Sequence, residues 1–285
     1  MVDKKRRFHL AALLFSILLI TAALMWHGGL IPRLIPRAAS GDAIWPEASE
    51  EYVLEDGNLH MDASHSEDGY VMVKVISPTA NRMKMQVVFS SGAQLLYDID
   101  SSGEYEILPL QLGSGAYSFS LFENVEGTKY AAGGRVDISV QLTSENAAFL
   151  VPNQYVKYTR ESPSVAQSDV LAGEGTPSEI FARVCDYMAS EFEYDYVRAS
   201  SISPGELPEV DECFTSRIGI CQDLSSVMIS MLRVQGIPSR LMIGYVDGYY
   251  HAWTVSIVDG EEKFFDPTAA ITDMAAGTYT TERFY

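Results

Sequence analysis

Three residues late in the chain have the types needed for thiol acyl transfer: Cys221, His251 and Asp266. A thiol attacks a carbonyl as its thiolate. An imidazole can take the thiol proton, and a carboxylate can fix the imidazole tautomer and stabilise the charged ring. Each residue type alone is weak evidence. A lone cysteine is usually a packing residue, a strand histidine is usually satisfied by its neighbours, and an aspartate before proline often starts a turn. The reading rests on the order of the three and on the elements that must position them.

After Gly219 the apolar residues are Leu224, Val227, Met228, Met231 and Leu232, spaced as one face of a helix. Gly236 and then Pro238 end it. Cys221 therefore falls at or just before the first turn, where unpaired N–H groups and the positive end of the helix dipole favour a thiolate and lower its pKa. The same N–H groups can hold an oxyanion. Downstream, the Asp-Gly pairs 247–248 and 259–260 divide three strand-like runs, a strong hairpin signal. If Asp259-Gly260 is a two-residue loop, Val258 faces Glu261 and Asp266 lies opposite Trp253. Asp266 is then a diagonal neighbour of His251 on the same face, about 7–8 Å away at the backbone and within reach of a histidine. A three-residue loop would put the two on opposite faces.

These segments resemble a known family. "GICQDLSSVMISMLRVQGIPSRLMIGYV", "YYHAWTVSIV" and "FFDPT" are similar to the three blocks of the transglutaminase-like superfamily, which shares the papain-type cysteine-protease core. The matching residues are Gly219 and Cys221, Arg233 to Arg240, Gly244-Tyr245, His251 to Trp253 and Asp266 to Thr268, and the upstream "EFEYDY" resembles the segment that precedes the family's nucleophile. The resemblance covers roughly residues 150–285. It implies an α+β domain with Cys221, His251 and Asp266 as a catalytic triad. It also resembles bacterial members held outside the membrane behind a β domain. Tyr194 is a candidate second oxyanion donor, against a buried structural tyrosine. The stretch after Asp266 is short and leaves little material for an elaborate substrate pocket.

Ahead of this domain the pattern changes. Four basic residues, Lys4 to Arg7, precede an uncharged apolar run from Leu10 to Trp26, at the short limit of a membrane-spanning helix. Residues 1–27 read as a signal anchor or a cleaved signal peptide, and residues 28–50 as a Pro/Gly/Ala-rich linker. Charge before the run holds that end in the cytoplasm. The body is then expected outside it, as a single-pass membrane protein or, after cleavage, as a secreted one. Residues 51–147 show short alternating runs such as "YVMVKVI", "MKMQVVF" and "AYSFSLFEN", the pattern of an all-β sandwich-like domain. Residues 148–285 are the domain that the resemblance implies to be transglutaminase-like, with a helix capped by Thr176, Pro177 and Glu179. Cys185 falls on the core face of that helix. In an oxidising compartment it could pair with Cys213, leaving Cys221 free; three reduced thiols, or a bridge between Cys213 and Cys221, are the alternatives.

Beyond residue 37 the chain carries 14 basic and 37 acidic residues, a formal charge of −23. That argues against a nucleic-acid partner, which needs a basic face. No CxxC pair or histidine cluster points to a metal, and no cofactor is expected. The expected chemistry is attack of Cys221 on an amide carbonyl of a protein or peptide, cell-wall peptide included, to give a thioester. Water would resolve it in a protease, amidase or deamidase; an amine would resolve it in a cross-linking enzyme. The alternative is a non-catalytic cell-envelope module that keeps the fold as a scaffold.

Overall fold

The structure is a computed structural model and describes residues 43–203, 205–272 and 277–285. The expected anchor at residues 1–27, and most of the expected linker, lie outside the described residues. Among the described residues no helix is long and apolar enough to cross a membrane.

The first half is built of strands β1 (Val53–Asp56), β2 (Leu59–Asp62), β3 (Tyr70–Val75), β4 (Met83–Phe89), β5 (Gln94–Ile99), β6 (Glu106–Pro109), β7 (Gly115–Glu126) and β8 (Lys129–Val140). They form two four-stranded antiparallel sheets, ordered β1-β2-β3-β6 and β5-β4-β7-β8. Alternation explains the packing. Met83, Met85 and Val87 on β4, with Tyr117, Phe119 and Leu121 on β7, meet Val71, Val73 and Val75 of β3 in one apolar core, while Lys84 and Gln86 point away. The other face of β3 is covered too, since Tyr70 and Met72 pack with Ile44, Ala48 and Val151. Residues 44–48, expected in the linker, thus belong to the folded body. The β1–β2 hairpin was not among the expected strands, because Glu55, Asp56 and His60 break its apolar alternation.

The second half contains α1 (Pro163–Ala172), α2 (Pro177–Glu191), β9 (Glu193–Tyr194), α3 (Tyr196–Ala199), α4 (Val210–Ser216), β10 (Ile218–Gly219), α5 (Cys221–Arg233), β11 (Ser239–Val246), β12 (Tyr249–Val258), β13 (Glu261–Phe265), α6 (Pro267–Ile271) and β14 (Tyr279–Phe284). The antiparallel sheet runs β13-β12-β11-β14. Helix α5 is buried along nearly its whole length. Leu224, Val227, Met228, Met231 and Leu232 meet Ile180, Val184 and Met188 of α2, and Ile229 faces Leu241, Ile243 and Ala252 of the sheet. Its serines are buried because each finds a partner: Ser225 donates to Ala252 O (3.3 Å) and Ser226 to Tyr155 O (2.8 Å). Thr176 and Glu179 cap α2 reciprocally. Both Asp-Gly pairs form two-residue loops with positive φ at each position: 49° and 89° at Asp247 and Gly248, 52° and 81° at Asp259 and Gly260.

The two halves share their core. The cluster between the first two sheets continues through Val156, Tyr158, Ile229, Leu241, Ile243, Ala252 and Tyr285. Tyr285 meets Tyr97 edge-on at 6.2 Å, and Gln111 Nε2 donates to Phe284 O. The β-rich half is therefore a wall against which the end of β14 is fixed. Gly244 permits that docking. A Cβ at this position would stand 2.0 Å from Thr280 O and 2.9 Å from Glu282 N, both backbone atoms. Gly244→Ala is expected to push β14 off the sheet and to cost at least about 2 kcal/mol, the order of an overpacked core site. A urea melt checks this; a midpoint equal to that of the parent would refute it.

Candidate active site

Cys221 is the first residue of α5, where the sequence places it. A fully buried Asp223 builds the turn in front of it. Its Oδ2 accepts the Ile220 N–H (3.0 Å), its Oδ1 accepts the Glu209 N–H (3.0 Å), and Arg198 Nη1 ion-pairs with it. Burial pushes this carboxyl up, against the lowering effect of those hydrogen bonds and of Arg198. Gly219 completes the turn by allowing close approach: a Cβ there would lie 2.5 Å from Cys213 Sγ and 3.0 Å from Asp223 Cβ. Strand β10 pairs in parallel with β9, so Tyr194 lies beside Gly219, and the Asp195 N–H bonds to Gly219 O at 2.9 Å.

On the facing sheet, β12 and β13 pair in the register expected from the two-residue loop, from Val258↔Glu261 to Thr254↔Phe265. Asp266 follows directly and caps α6 through the Ala269 N–H (3.1 Å to Oδ1). His251 Nε2 meets Asp266 Oδ2 at 2.8 Å, with both side chains almost wholly buried. Tyr279 of β14 donates its hydroxyl to the same Oδ2 at 2.6 Å. Trp253 lies alongside the imidazole with ring centroids 6.3 Å apart at 20°. With Nε2 committed to Asp266, Nδ1 is the ring nitrogen left for Cys221. Burial of the ring opposes its charge, but the hydrogen bond to Asp266 and the proximity of Cys221 outweigh it and raise His251 to about 9. Asp266 is lowered: burial works against this, and the contacts with His251, Tyr279 and the Ala269 N–H prevail.

Cys221 and His251 open onto one pocket of about 380 Å³. Tyr155, Tyr194, Ile202, Glu206, Tyr250 and Arg283 also line it. Two contributors were not foreseen. Tyr279 and Arg283 come from β14, so the short stretch after Asp266 builds more of the site than its length implied. The β-branched and aromatic residues of "TYTTERF" were the available signal. All three cysteines are unbridged. Burial raises Cys185 and Cys213 to about 12, as suits packing residues. Among the described residues no cluster of His, Cys, Asp and Glu is arranged to hold a metal ion.

Residues 165–263 match the transglutaminase-like superfamily, so this stretch carries a transglutaminase-like domain. Among solved structures, the chain is similar to a candidate cysteine protease from Cytophaga hutchinsonii, with 14% identity over 82% of this chain and 90% of that one and a TM-score of 0.36. It is also similar to a candidate protease from Parabacteroides distasonis, with 11% identity over 73% of this chain and 63% of that one and a TM-score of 0.34. Red sea bream transglutaminase shares 10% identity over 76% of this chain and 53% of that one, with a TM-score of 0.28. No protein of curated function matches the chain in sequence.

Proposed function

We propose that this protein is a cysteine-dependent acyl transferase acting on amide bonds, with Cys221 as nucleophile, His251 as acid and base and Asp266 as its orienter. The observation that carries this is the buried Asp266–His251 hydrogen bond in the wall of the pocket onto which Cys221 opens at a helix start. In the reactive state the thiol proton already rests on His251 as an imidazolium, and the paired thiolate adds to the carbonyl carbon. The charge on the oxygen is held by N–H groups at the start of α5. His251 then gives its proton to the nitrogen, the C–N bond breaks, and amine leaves with the acyl group as a thioester on Cys221. Water, giving a proton to His251, releases acid and thiol. We favour hydrolysis because water requires no second binding site; incorporation of an added primary amine into an acyl donor would show transfer instead. The basic residues Lys4 to Arg7 ahead of Leu10 to Trp26 support placing this body outside the cytoplasm, facing protein or peptide substrates there.

The test is alkylation by iodoacetamide at mildly acidic pH, read by peptide mass. Cys221 is expected to react alone, since the half-buried Cys185 and the buried Cys213 are thiols raised to about 12. The rate is expected to fall when His251 is replaced by alanine. A Cys221 no more reactive than a peptide thiol, with or without His251, would sink the reading.

Tyr194 is the second oxyanion donor in this proposal. It is half-buried in the pocket wall, and its hydroxyl has no protein hydrogen-bond partner among the described residues. Tyr194→Phe is expected to lower kcat about 100-fold with little change in KM, as loss of one oxyanion donor does. An unchanged kcat would return Tyr194 to a packing role.

A further inference from the structure

Among the described residues Arg160, Arg217 and Arg283 have no carboxylate partner; Arg160 and Arg217 lie over the rings of Trp45 and Phe214, whereas Arg283, exposed on β14, lies at the pocket. Arg82, Arg135, Arg198 and Arg240 each carry a carboxylate partner. Arg233 is spent on the backbone carbonyls of Ser239 and Val151, and Arg183 on those of Leu171 and Ala172. Arg283 lines the pocket of Cys221 and His251, and its recorded hydrogen bond, from Nη2 to Tyr250 Oη, turns it along the wall. A guanidinium has five donors in a planar fork that matches a carboxylate bidentately, so most of this one remains unused. The acid of the pocket wall does not neutralise it. Glu206 accepts the Ser203 N–H at 3.2 Å and lies 3.5 Å from Arg198.

The position fits a substrate group close to the reacting carbonyl. Arg283 pairs with Ile243 on β11, and Ile243 pairs with Ala252, the neighbour of His251. Two strand spacings, roughly 10 Å, therefore separate the backbones of Arg283 and Ala252. A long side chain on Arg283 spans part of that gap, leaving about one to two residues of a bound peptide between scissile carbonyl and guanidinium. The charge balance makes the feature informative. A body with a formal charge of −23 repels anionic ligands, so a free cation kept at the reaction pocket works against the surrounding field.

We infer that Arg283 is the binding point for a carboxylate on the acyl donor, so that the preferred substrate is an acidic peptide whose carboxylate lies within about two residues of the amide attacked by Cys221. This rests on the reading of Cys221 as nucleophile. Tyr155 and Tyr250 flank the site and give the intervening chain an aromatic surface to lie on.

The experiment uses the affinity labels N-iodoacetyl-glycine, N-iodoacetyl-β-alanine and N-iodoacetyl-γ-aminobutyrate beside their neutral methyl amides. The rate of Cys221 modification is read by peptide mass for the parent, Arg283→Gln and Arg283→Lys. At one arm length the acid is expected to outpace its amide about tenfold, the order of one charge-assisted hydrogen bond. Arg283→Gln should abolish the preference, read as the acid-to-amide ratio within each variant so that any general change in thiol reactivity cancels, and Arg283→Lys should keep part of it. No Arg283-dependent preference at any arm length would overturn the inference. A Cys221 that reacts only as an ordinary thiol would instead overturn the nucleophile reading, and the acid-to-amide ratio remains readable from a slow thiol. Protection of Cys221 by N-acetyl-glutamate α-amide, or by N-acetyl-glutamine as its free acid, tells a side-chain carboxylate from a chain terminus.

Discussion

Replacing His251 with alanine is expected to lower acyl transfer from an amide by at least four orders of magnitude, the loss seen when one member of a nucleophile–base pair is removed. Amides set this size, because their leaving nitrogen departs only when protonated and His251 is the acid in the pocket. The pH profile carries the sharper prediction. His251 is raised to about 9, burial opposing and the bond to Asp266 with the nearby Cys221 prevailing, so the ring is an imidazolium at neutral pH. Amide turnover should therefore fall as pH rises through about 9. Asp266→Asn removes a contact that raises the ring, so this limb should move downward toward the ordinary histidine value. Stability follows the same linkage. A raised histidine contributes stability that is complete below its unfolded value of ~6.5 and lost as pH climbs through about 9. Asp266, being lowered, contributes stability present above its unfolded value and lost as pH falls through its folded one. Urea melts at neutral and alkaline pH should show the parent losing a component that His251→Ala lacks. An alkaline limb that ignores Asp266→Asn would refute the role given to the Asp266–His251 bond.

What the sequence disclosed was local. Helix α5 was legible because Leu224, Val227, Met228, Met231 and Leu232 repeat at helical spacing, and every one of them is fully buried. The meeting of His251 with Asp266 was legible because Asp259-Gly260 fixes a two-residue loop, and the register then follows by counting. What stayed hidden depends on segments that meet only in the folded chain. Tyr279 reaches Asp266 because β14 returns to β11 on the side away from β12, a choice that six mostly polar residues do not announce. Asp223 looks like an ordinary acid in the first turn of a helix, and only the packing of Arg198 and the Glu209 N–H against it makes it a buried support. The shared core was hidden for the same reason. Ile229 and Ile243 read as interior residues of their own half, yet they pack in the cluster that begins at Leu59.

Asp223→Ala is expected to cost about 3 kcal/mol of folding stability, or roughly 6–12 °C in Tm for a body of this size, and to slow Cys221 modification in the protein that remains folded. The figure is the low end for a broken buried pair, because the Arg198 side chain keeps 26% of its exposure while Asp223 has none. The Ile220 N–H and the Glu209 N–H lose their partner together, and the Arg198 guanidinium is left with Glu206 alone at 3.5 Å. The Ile220 N–H lies one residue before the nucleophile, so the turn that aims Cys221 loosens along with the fold. The converse variant separates this account from simple loss of packing. Arg198→Met leaves the carboxylate buried with less compensation, and burial already raises Asp223. A carboxyl raised in the folded state favours folding where it is protonated and costs stability as pH rises through its folded value. Arg198→Met should then be markedly unstable at neutral pH and recover toward the parent as pH falls. Asp223→Ala, having no carboxyl to protonate, should gain nothing from acid. If the two variants shared one pH dependence, Asp223 would be a filler of space beside Cys213 and not the charged support of the nucleophile's turn.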